Sequence, residues 1–338
     1  MKNLLNTLYI TRPDCYLHKE RETVVIKEGD TKLAQLPILA LQNIFCFGQV
    51  SVSPALMQAC LQATIGVCFF TEFGKFQAQV TGMPKGNVLL RRAQYRWADA
   101  DDKSASVARL MVAAKVSNCR AVLMREQRNH GENKPLEQAV QYLSEALSRI
   151  RSASSVSQLM GLEGDAARQY FGVFHHLIRN DKFRFNGRVR RPPADPVNAL
   201  LSFAYVLLAS ECASALAGVG LDPYVGFLHQ DRPGRKSLAL DLMEELRAPL
   251  ADRFVLTLIN RGQLKATDFT VEASGAVRLQ DDARKALLAA YQDRKKEVIR
   301  HPYLDEKIEL GLLPHAQALL LSRHIRGDMQ HYTPFLVR

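Results

Sequence analysis

The stretch Thr81–Asn87, TGMPKGN, divides the sequence into two parts with different apolar periodicities. It combines Gly and Pro with no apolar run, which is typical of a loop. Before it, apolar residues alternate as in strands, and from Val88 onward they recur every 3.6 residues or so, as in helices. A chain of 338 residues also exceeds what one compact core usually holds. The sequence therefore predicts two domains, 1–83 and 88–338.

The part before this loop predicts a small β-rich domain. In Glu22–Leu36, ETVVIKEGDTKLAQL, a Gly-Asp pair separates two alternating runs, which predicts a β-hairpin. Ile65–Val80, IGVCFFTEFGKFQAQV, predicts a second hairpin. Between them, Ser53 suits a helix N-cap and Pro54 suits the first helical position, so one helix is expected there.

The part after the loop predicts a larger, mainly α-helical domain, so the fold class is α+β. Asp195-Pro196 predicts the start of a helix that runs toward Gly218, and Phe269–Leu279 predicts a small hairpin between late helices. One helical face, behind Pro135, is formed by Leu136, Ala139, Val140, Leu143, Leu147 and Ile150.

Charge and composition limit the functional class. Lys and Arg number 45 against 34 acids, a formal charge of +11, which favours a polyanionic partner such as nucleic acid. The six cysteines form no C-x-x-C pair and stand among apolar neighbours, so we expect reduced core residues in a cytoplasmic protein. The N-terminus lacks a cleavable apolar segment, and no uninterrupted apolar run reaches about 18 residues, so neither secretion nor membrane insertion is expected.

Two segments of the helical part carry charge in unusual surroundings. Glu163 lies between Gly161 and Gly164 at an expected helix start, where a carboxylate can serve as a cap or, because glycines permit close approach, as a functional group. Arg179–Arg191 holds six basic residues, one acid and two interleaved phenylalanines. Guanidinium groups bind phosphate in forked geometry, so this segment predicts either a loop that grips DNA or a solvated basic loop.

A third segment, Phe227–Arg247, reads FLHQDRPGRKSLALDLMEELR and combines His229 with three acids. Ala239, Leu242, Met243, Leu246 and Leu250 form its apolar stripe, so Asp241, Glu244 and Glu245 are predicted to point away from the core. They form either a solvated face or, together with His229, ligands for Mg²⁺ or Mn²⁺. By helical geometry Glu244 borders the packed side more than Asp241 does.

Three stretches in this order resemble the family of CRISPR-associated protein one, the spacer-acquisition integrase: LMGLEGDAARQYF (159–171), NGRVRRPPADPVNALLSFAYVLL (186–208) and DPYVGFLHQDRPGRKSLALDLMEELR (222–247). The resemblance covers essentially the whole chain. The ending RGDMQHYTPFLVR (326–338) is similar to the branch that accompanies type I interference systems, and within it to subtype C.

The resemblance implies a β-rich dimerisation domain followed by a helical catalytic domain. It assigns Glu163, His229 and Glu244 as catalytic metal ligands, with Asp241 as a close neighbour in the second coordination shell. Glu244 stands where many members of the family have Asp. The candidates to hold DNA phosphates are Lys182, Arg184, Arg188, Arg190 and Arg191.

The activity implied is metal-dependent integration of short DNA fragments into a CRISPR array by transesterification. A 3′-hydroxyl attacks a phosphodiester at the repeat border, and the reverse reaction cleaves branched DNA. The implied assembly is a homodimer bound to a dimer of CRISPR-associated protein two. Two alternatives stay open: a non-catalytic basic nucleic-acid-binding protein, and a metal hydrolase of small molecules, which leaves Arg179–Arg191 unexplained.

Overall fold

The computed structural model of the chain describes residues 6–80, 82, 88–189 and 192–337. The chain forms two compact units, one of Met1–Lys85 with Leu279–Glu297 and one of Gly86–Arg278 with Val298–Arg338. Of the predicted boundary loop, only Gly82 lies within the described residues.

The described chain is mostly β-strands before Gly82 and mostly α-helices from Val88 onward. The strands are β1 Asn6–Ile10, β2 Cys15–Glu20, β3 Thr23–Glu28, β4 Thr31–Pro37, β5 Leu41–Phe47, β6 Val50–Val52, β7 Gly66–Phe70, β8 Phe76–Val80, β9 Phe269–Val271, β10 Val277–Leu279, β11 Val298–Arg300 and β12 Lys307–Glu309. The α-helices are α1 Pro54–Gln62, α2 Val88–Asp99, α3 Asp101–His130, α4 Lys134–Ser152, α5 Val156–Gly172, α6 Pro196–Gly218, α7 Ser237–Leu246, α8 Arg253–Asn260, α9 Asp281–Lys295 and α10 Leu313–Arg326. A β-rich N-terminal region and a larger helical part confirm the α+β fold class.

The first unit contains two sheets. One has the order β1-β5-β7-β8, in which β1, β5 and β7 are parallel and β8 is antiparallel to β7. The other has the order β4-β3-β2-β6. Both predicted hairpins, β3–β4 and β7–β8, are confirmed, and so is α1, where Ser53 Oγ accepts the N–H of Leu56 at 3.2 Å. The sequence did not predict the parallel pairs, because their strands are far apart along the chain.

Helix α9 belongs to the first unit although it lies late in the chain. It packs against β1, and Lys295 Nζ donates to Thr7 Oγ1 at 3.1 Å. Arg284 also donates to the carbonyl oxygen of Glu72. The sequence boundary placed all of 88–338 in one domain and so differs from this division. Periodicity identifies a helix but carries no information about which sheet the helix covers.

The second unit is built around α3, which packs against α2, α4, α5 and α7. Helix α6 packs against α7 and α10, and its predicted N-cap is confirmed, because Asp195 Oδ1 accepts the N–H of Asn198 at 2.8 Å. By length and composition α6 could cross a membrane, but 72% of its most apolar window is buried inside the protein. It therefore serves as a core helix of this unit. The predicted late hairpin, β9–β10, is also confirmed.

All six cysteines are free and buried, as the sequence predicted. Burial raises the pKa of Cys46 to about 12 and that of Cys60 to about 11. Their thiols are therefore protonated packing groups at neutral pH.

Candidate functional site

Helix α5 carries Glu163 at its middle rather than at its start. The helix begins after Ser155, whose Oγ accepts the N–H of Gln158 at 3.3 Å. The predicted helix start at Gly161–Gly164 is therefore wrong, because Ser155 supplies the N-cap and both glycines are helical. A methyl group at either glycine would meet nothing within 4 Å. Glu163, with 23% of its side chain exposed, thus lies beside open surface.

The loop before α7 wraps around the carboxylate of Asp241 and fixes His229. The two Asp241 oxygens accept the backbone N–H groups of Phe227, Leu228 and His229 at 2.6, 2.9 and 3.0 Å. Asp241 Oδ1 also lies 2.6 Å from His229 Nδ1. A Cβ at Gly226 would lie 2.8 Å from Asp241 Oδ2, so the loop can approach this closely only with glycine there. Since Nδ1 is engaged, Nε2 is the nitrogen left for a ligand.

Glu244 lies between two cations on the neighbouring side of α7. Its carboxylate accepts from Arg247 Nη1 at 2.8 and 2.9 Å and lies 2.6 Å from Lys115 Nζ. Lys115 also forms an ion pair with Glu163, so one buried ammonium joins the two glutamates. Burial would raise the pKa of Glu244, but Arg247, Lys115 and His229 together hold it well below its usual value.

Arg247 packs on the ring of Tyr205, whose hydroxyl in turn contacts Asp252. Its guanidinium lies 4.3 Å from the centre of the Tyr205 ring, and the Tyr205 hydroxyl donates to Asp252 at 2.5 Å. Between Arg247 and Asp252 the chain forms a π-helical turn that contains Pro249. Because proline has no N–H to donate, it interrupts the regular α-helical bonding there. The turn brings Arg247 and Asp252 into one buried cluster of charged and aromatic side chains.

The prediction that the acids of α7 point away from the core is wrong. Asp241, Glu244 and Glu245 are all buried, because α7 contacts α3, α6 and α10 and has no broad exposed face. Glu245 accepts from the Tyr332 hydroxyl at 2.5 Å, Gln317 Nε2 at 3.0 Å and the N–H of Phe335 at 3.1 Å. Burial raises the pKa of Glu245 to about 7.

The donor chemistry of Glu163, His229 and Glu244 fits a hard divalent cation. Two carboxylates already share one cation, the Lys115 ammonium, and the orienting contact of His229 with Asp241 is typical of metal-binding histidines. Within the described residues, however, the structure gathers no group of three His, Cys, Asp or Glu side chains that could hold a metal ion. The Lys115 ammonium lies between the carboxylates of Glu163 and Glu244 instead.

The predicted DNA-binding segment divides into anchored and exposed residues. Phe185 packs on Phe174 with ring centres 5.2 Å apart, which ties the segment to the core. Arg188 is also turned inward, because it donates to Asn198 Oδ1 at 2.7 Å and to Ser202 Oγ at 3.0 Å. Lys182 and Arg184 are exposed, whereas Arg190 and Arg191 lie outside the described residues.

Lys115 is the site residue that sequence reasoning missed. The signal was present, because Lys115 is a lone cation in the apolar run Leu110–Val116, LMVAAKV. A buried lysine requires a partner, and here two carboxylates keep its pKa raised even though burial alone would lower it. Arg247, the last residue of the stretch Phe227–Arg247, is a second site residue that the sequence did not predict.

Comparisons with known proteins give a consistent result. The family model described as "CRISPR associated protein Cas1" matches residues 8–293. The chain is 50% identical over 343 aligned positions to "CRISPR-associated endonuclease Cas1 1" of Chlorobaculum tepidum, and the alignment covers 100% of both chains. Among solved structures, a casposase bound to integration product has a TM-score of 0.84 at 20% identity, over 97% of this chain and 93% of that one. A Cas6-RT-Cas1–Cas2 complex gives 0.83 at 24% identity, over 100% of this chain and 36% of that one.

Proposed function

This chain belongs to the family of CRISPR associated protein Cas1, and on that premise we propose that it is a divalent-metal-dependent DNA endonuclease and integrase. The family resemblance found in the sequence is thereby confirmed. The observation that carries the activity is full-length identity of 50% to a curated endonuclease of the family. In the integration reaction a DNA 3′-hydroxyl attacks a phosphodiester at the border of a CRISPR repeat, forms a new ester bond to its phosphorus, and displaces the 3′-hydroxyl of the neighbouring strand.

The proposed metal ligands are Glu163, His229 and Glu244. Mg²⁺ or Mn²⁺, when bound, would polarise the scissile phosphodiester. Asp241 holds the imidazole of His229 in one orientation through its contact with Nδ1. Arg247 pairs with Glu244 through two hydrogen bonds and so keeps that carboxylate ionised and in place.

The position of Lys115 also supports the proposed metal ligands. In this structure its ammonium lies where two of the proposed ligands meet, which shows that the site accommodates positive charge. Glu244 is then held ionised, and both carboxylates are positioned, before any metal binds. Once released from the glutamates, the same ammonium is free to pair with a phosphate oxygen of the DNA.

The DNA is proposed to pass over the segment that contains Lys182 and Arg184. Both side chains are exposed, and the buried rings of Phe183 and Phe185 alternate with them and hold the backbone. The proposed assembly is a homodimer, in which the β-rich unit forms the contact, joined to a dimer of Cas2. Its support is the fold shared with the Cas1 part of a Cas1–Cas2 complex.

Cleavage of branched DNA with Mn²⁺, in the presence and absence of a chelator, tests the proposed function. We expect Glu163→Ala and His229→Ala each to lower the rate by at least about 100-fold, since each removes a proposed ligand. Both side chains are partly exposed, so the midpoint of thermal unfolding is expected to stay near that of the wild type.

Matched controls are Glu132→Ala and His331→Ala, which alter exposed residues of the same types. These controls should cleave at the wild-type rate. Retained activity of Glu163→Ala or His229→Ala would refute the ligand assignment. Cleavage that a chelator leaves unchanged would refute the metal requirement, and DNA binding without any cleavage by the wild type would favour the non-catalytic alternative.

A further inference from the structure

A basic cavity of about 260 Å³ lies beside α3, away from the proposed metal ligands. Four arginines line it: Arg120, Arg125 and Arg128 from α3 and Arg253 from the start of α8. Its remaining lining is uncharged and includes Met124 and Val337. Among the residues that the structure describes, no acidic side chain lines the cavity.

Helical geometry separates this cavity from the metal site. At about 100° per residue, the lining residues of α3 centre roughly 200° around the helix from Lys115. Lys115 faces Glu163 and Glu244, so the cavity lies on the opposite side of the same helix. The α3 helix therefore carries two separate charged sites.

Three of the four arginines, Arg120, Arg125 and Arg128, have no acidic partner among the described residues. None of the ion pairs among the described residues involves Arg120, Arg125 or Arg128, and the nearby Glu126 pairs with His130 instead. The Nε–H of Arg120 is buried without a hydrogen-bond partner in this part of the chain. Like charges that converge without acids destabilise a fold, whereas a bound polyanion would relieve their repulsion.

The cavity walls are held in place by the core. Asn118 on α3 donates to the carbonyl oxygens of Glu245 and Phe335 at 2.7 and 2.8 Å and accepts the N–H of Val337 at 2.9 Å. These bonds attach the C-terminal segment to α3 next to the arginines. The site is thus formed by three parts of the chain and exists before a ligand arrives.

We propose that this cavity binds the phosphate backbone of a single-stranded DNA segment. Arginine forks bind phosphate oxygens through paired hydrogen bonds, and apolar surfaces such as Met124 and Val337 offer contact for a sugar or base. The volume suits one nucleotide, whereas a duplex, with its major groove alone about 12 Å wide, is too broad to enter. An acidic protein surface is disfavoured because a carboxylate would fill only a small part of the volume.

The proposal uses the DNA substrate of the proposed function but not the metal site, and the two are tested separately. Binding of fluorescein-labelled dT20 is measured by anisotropy in EDTA over a range of salt concentrations. The test protein carries Arg120→Gln, Arg125→Gln and Arg128→Gln. The matched control carries Lys134→Gln, Arg151→Gln and Arg323→Gln, which removes three exposed charges elsewhere in the same unit.

We expect the cavity variant to bind dT20 at least about tenfold more weakly than the wild type. The slope of its log affinity against log salt should be shallower by about 2, because each of three lost phosphate contacts contributes about 0.7. The control should stay within twofold to threefold of the wild type. Replacing the same three arginines by lysine keeps the charge but loses the fork, so an intermediate affinity is expected. Thermal unfolding confirms that each variant is folded.

Equal affinities of the cavity variant and the control would overturn the proposal, because overall charge would then explain all binding. The proposal would also fail if poly-glutamate bound in a way that depends on these arginines while dT20 did not, since that outcome identifies an acidic protein partner. Because the binding of dT20 is measured in EDTA, it does not require a metal ion. A failure of the metal proposal therefore leaves this experiment unaffected.

Discussion

Glu244 and Glu245 are adjacent on α7 and both buried, yet their surroundings shift the pKa values of the two carboxylates in opposite directions. Glu244 faces the cations Lys115 and Arg247, which hold its pKa well below the usual value against the effect of burial. Glu245 faces the neutral donors Tyr332, Gln317 and the backbone of Phe335, and burial raises its pKa to about 7. A turn of about 100° between neighbours on a helix is enough to move a carboxylate from a charged cluster into a neutral hydrogen-bond network.

This difference distinguishes a carboxylate suited to metal binding from one that joins segments of the fold. A carboxylate that stays ionised beside positive charge can bind a cation, whereas one surrounded by neutral donors holds segments together. Glu245 joins α7 to α10 through Gln317 and to the C-terminal segment through Tyr332 and Phe335. Of these two glutamates, the proposed catalytic role therefore belongs to Glu244.

The strongest test of this comparison changes each glutamate to glutamine. Glu244→Gln removes a proposed metal ligand, so Mn²⁺-dependent cleavage of branched DNA is expected to fall by at least about 100-fold. Glu245→Gln should keep cleavage within a few-fold of the wild type but lower the free energy of unfolding by about 1–3 kcal/mol, because an amide NH₂ would face other donors.

The measurements are initial cleavage rates and urea unfolding on the same preparations. An inactive Glu245→Gln that unfolds like the wild type, together with an active Glu244→Gln, would reverse the assignment. In that case the ligand carried by α7 would be Glu245.

A second test removes the cation that joins the two sides of the charged cluster. Lys115→Met keeps the length of the side chain but leaves two glutamates without their shared ammonium, so we expect the free energy of unfolding to fall by about 3–5 kcal/mol. Lys285→Met breaks an exposed pair with Asp282 and should cost under about 1 kcal/mol.

Added Mn²⁺ sharpens this test without measuring activity. If the metal takes the place of the ammonium, it should raise the unfolding temperature of Lys115→Met more than that of the wild type. Equal shifts in the two proteins would mean that Lys115 and the metal do not occupy the same space.

Local sequence signals predicted much of the fold. The caps Ser53 and Asp195 and the Gly29-Asp30 turn each act within a few residues, and each is confirmed. The parallel pairing of β1, β5 and β7 and the placement of α9 depend on contacts between distant segments, which local periodicity does not contain.

The candidate site was predicted in part. The family resemblance supplied Glu163, His229 and Glu244, and the structure brings Glu163 and Glu244 to one ammonium. The prediction from the helical pattern was wrong for α7, because an apolar stripe does not mark every buried face of a helix. Asp241, which accepts three backbone N–H groups, shows that a carboxylate with enough donors can be buried as completely as leucine. The arginines of the basic cavity lie five and three residues apart on α3, a spacing that by itself does not predict a cavity.

The smallest expected effect concerns pH and the neutral network around Glu245. His301 Nε2 lies 2.9 Å from Gln317 Oε1, and His301 Nδ1 accepts the N–H groups of Tyr303 and Leu304, so the ring must be neutral to make these bonds. Burial lowers the pKa of His301 in the folded protein. Below the unfolded-state pKa of about 6.5 the unfolded chain therefore binds more protons, and stability from this residue is lost as the pH falls. Each tenfold difference in proton affinity between the two states is worth about 1.4 kcal/mol.

The variant His301→Asn tests this. Its amide oxygen replaces Nδ1 as acceptor but does not titrate, so the free energy of unfolding of the variant should fall less between pH 7 and pH 5.5 than that of the wild type. Glu245 acts in the opposite sense, because its raised pKa favours the folded state as the pH falls through the same window. Both the wild type and His301→Asn contain Glu245, so its contribution is present in both pH profiles. The difference between the two urea-unfolding curves at each pH isolates His301, and identical pH profiles would show that its ring does not titrate on unfolding.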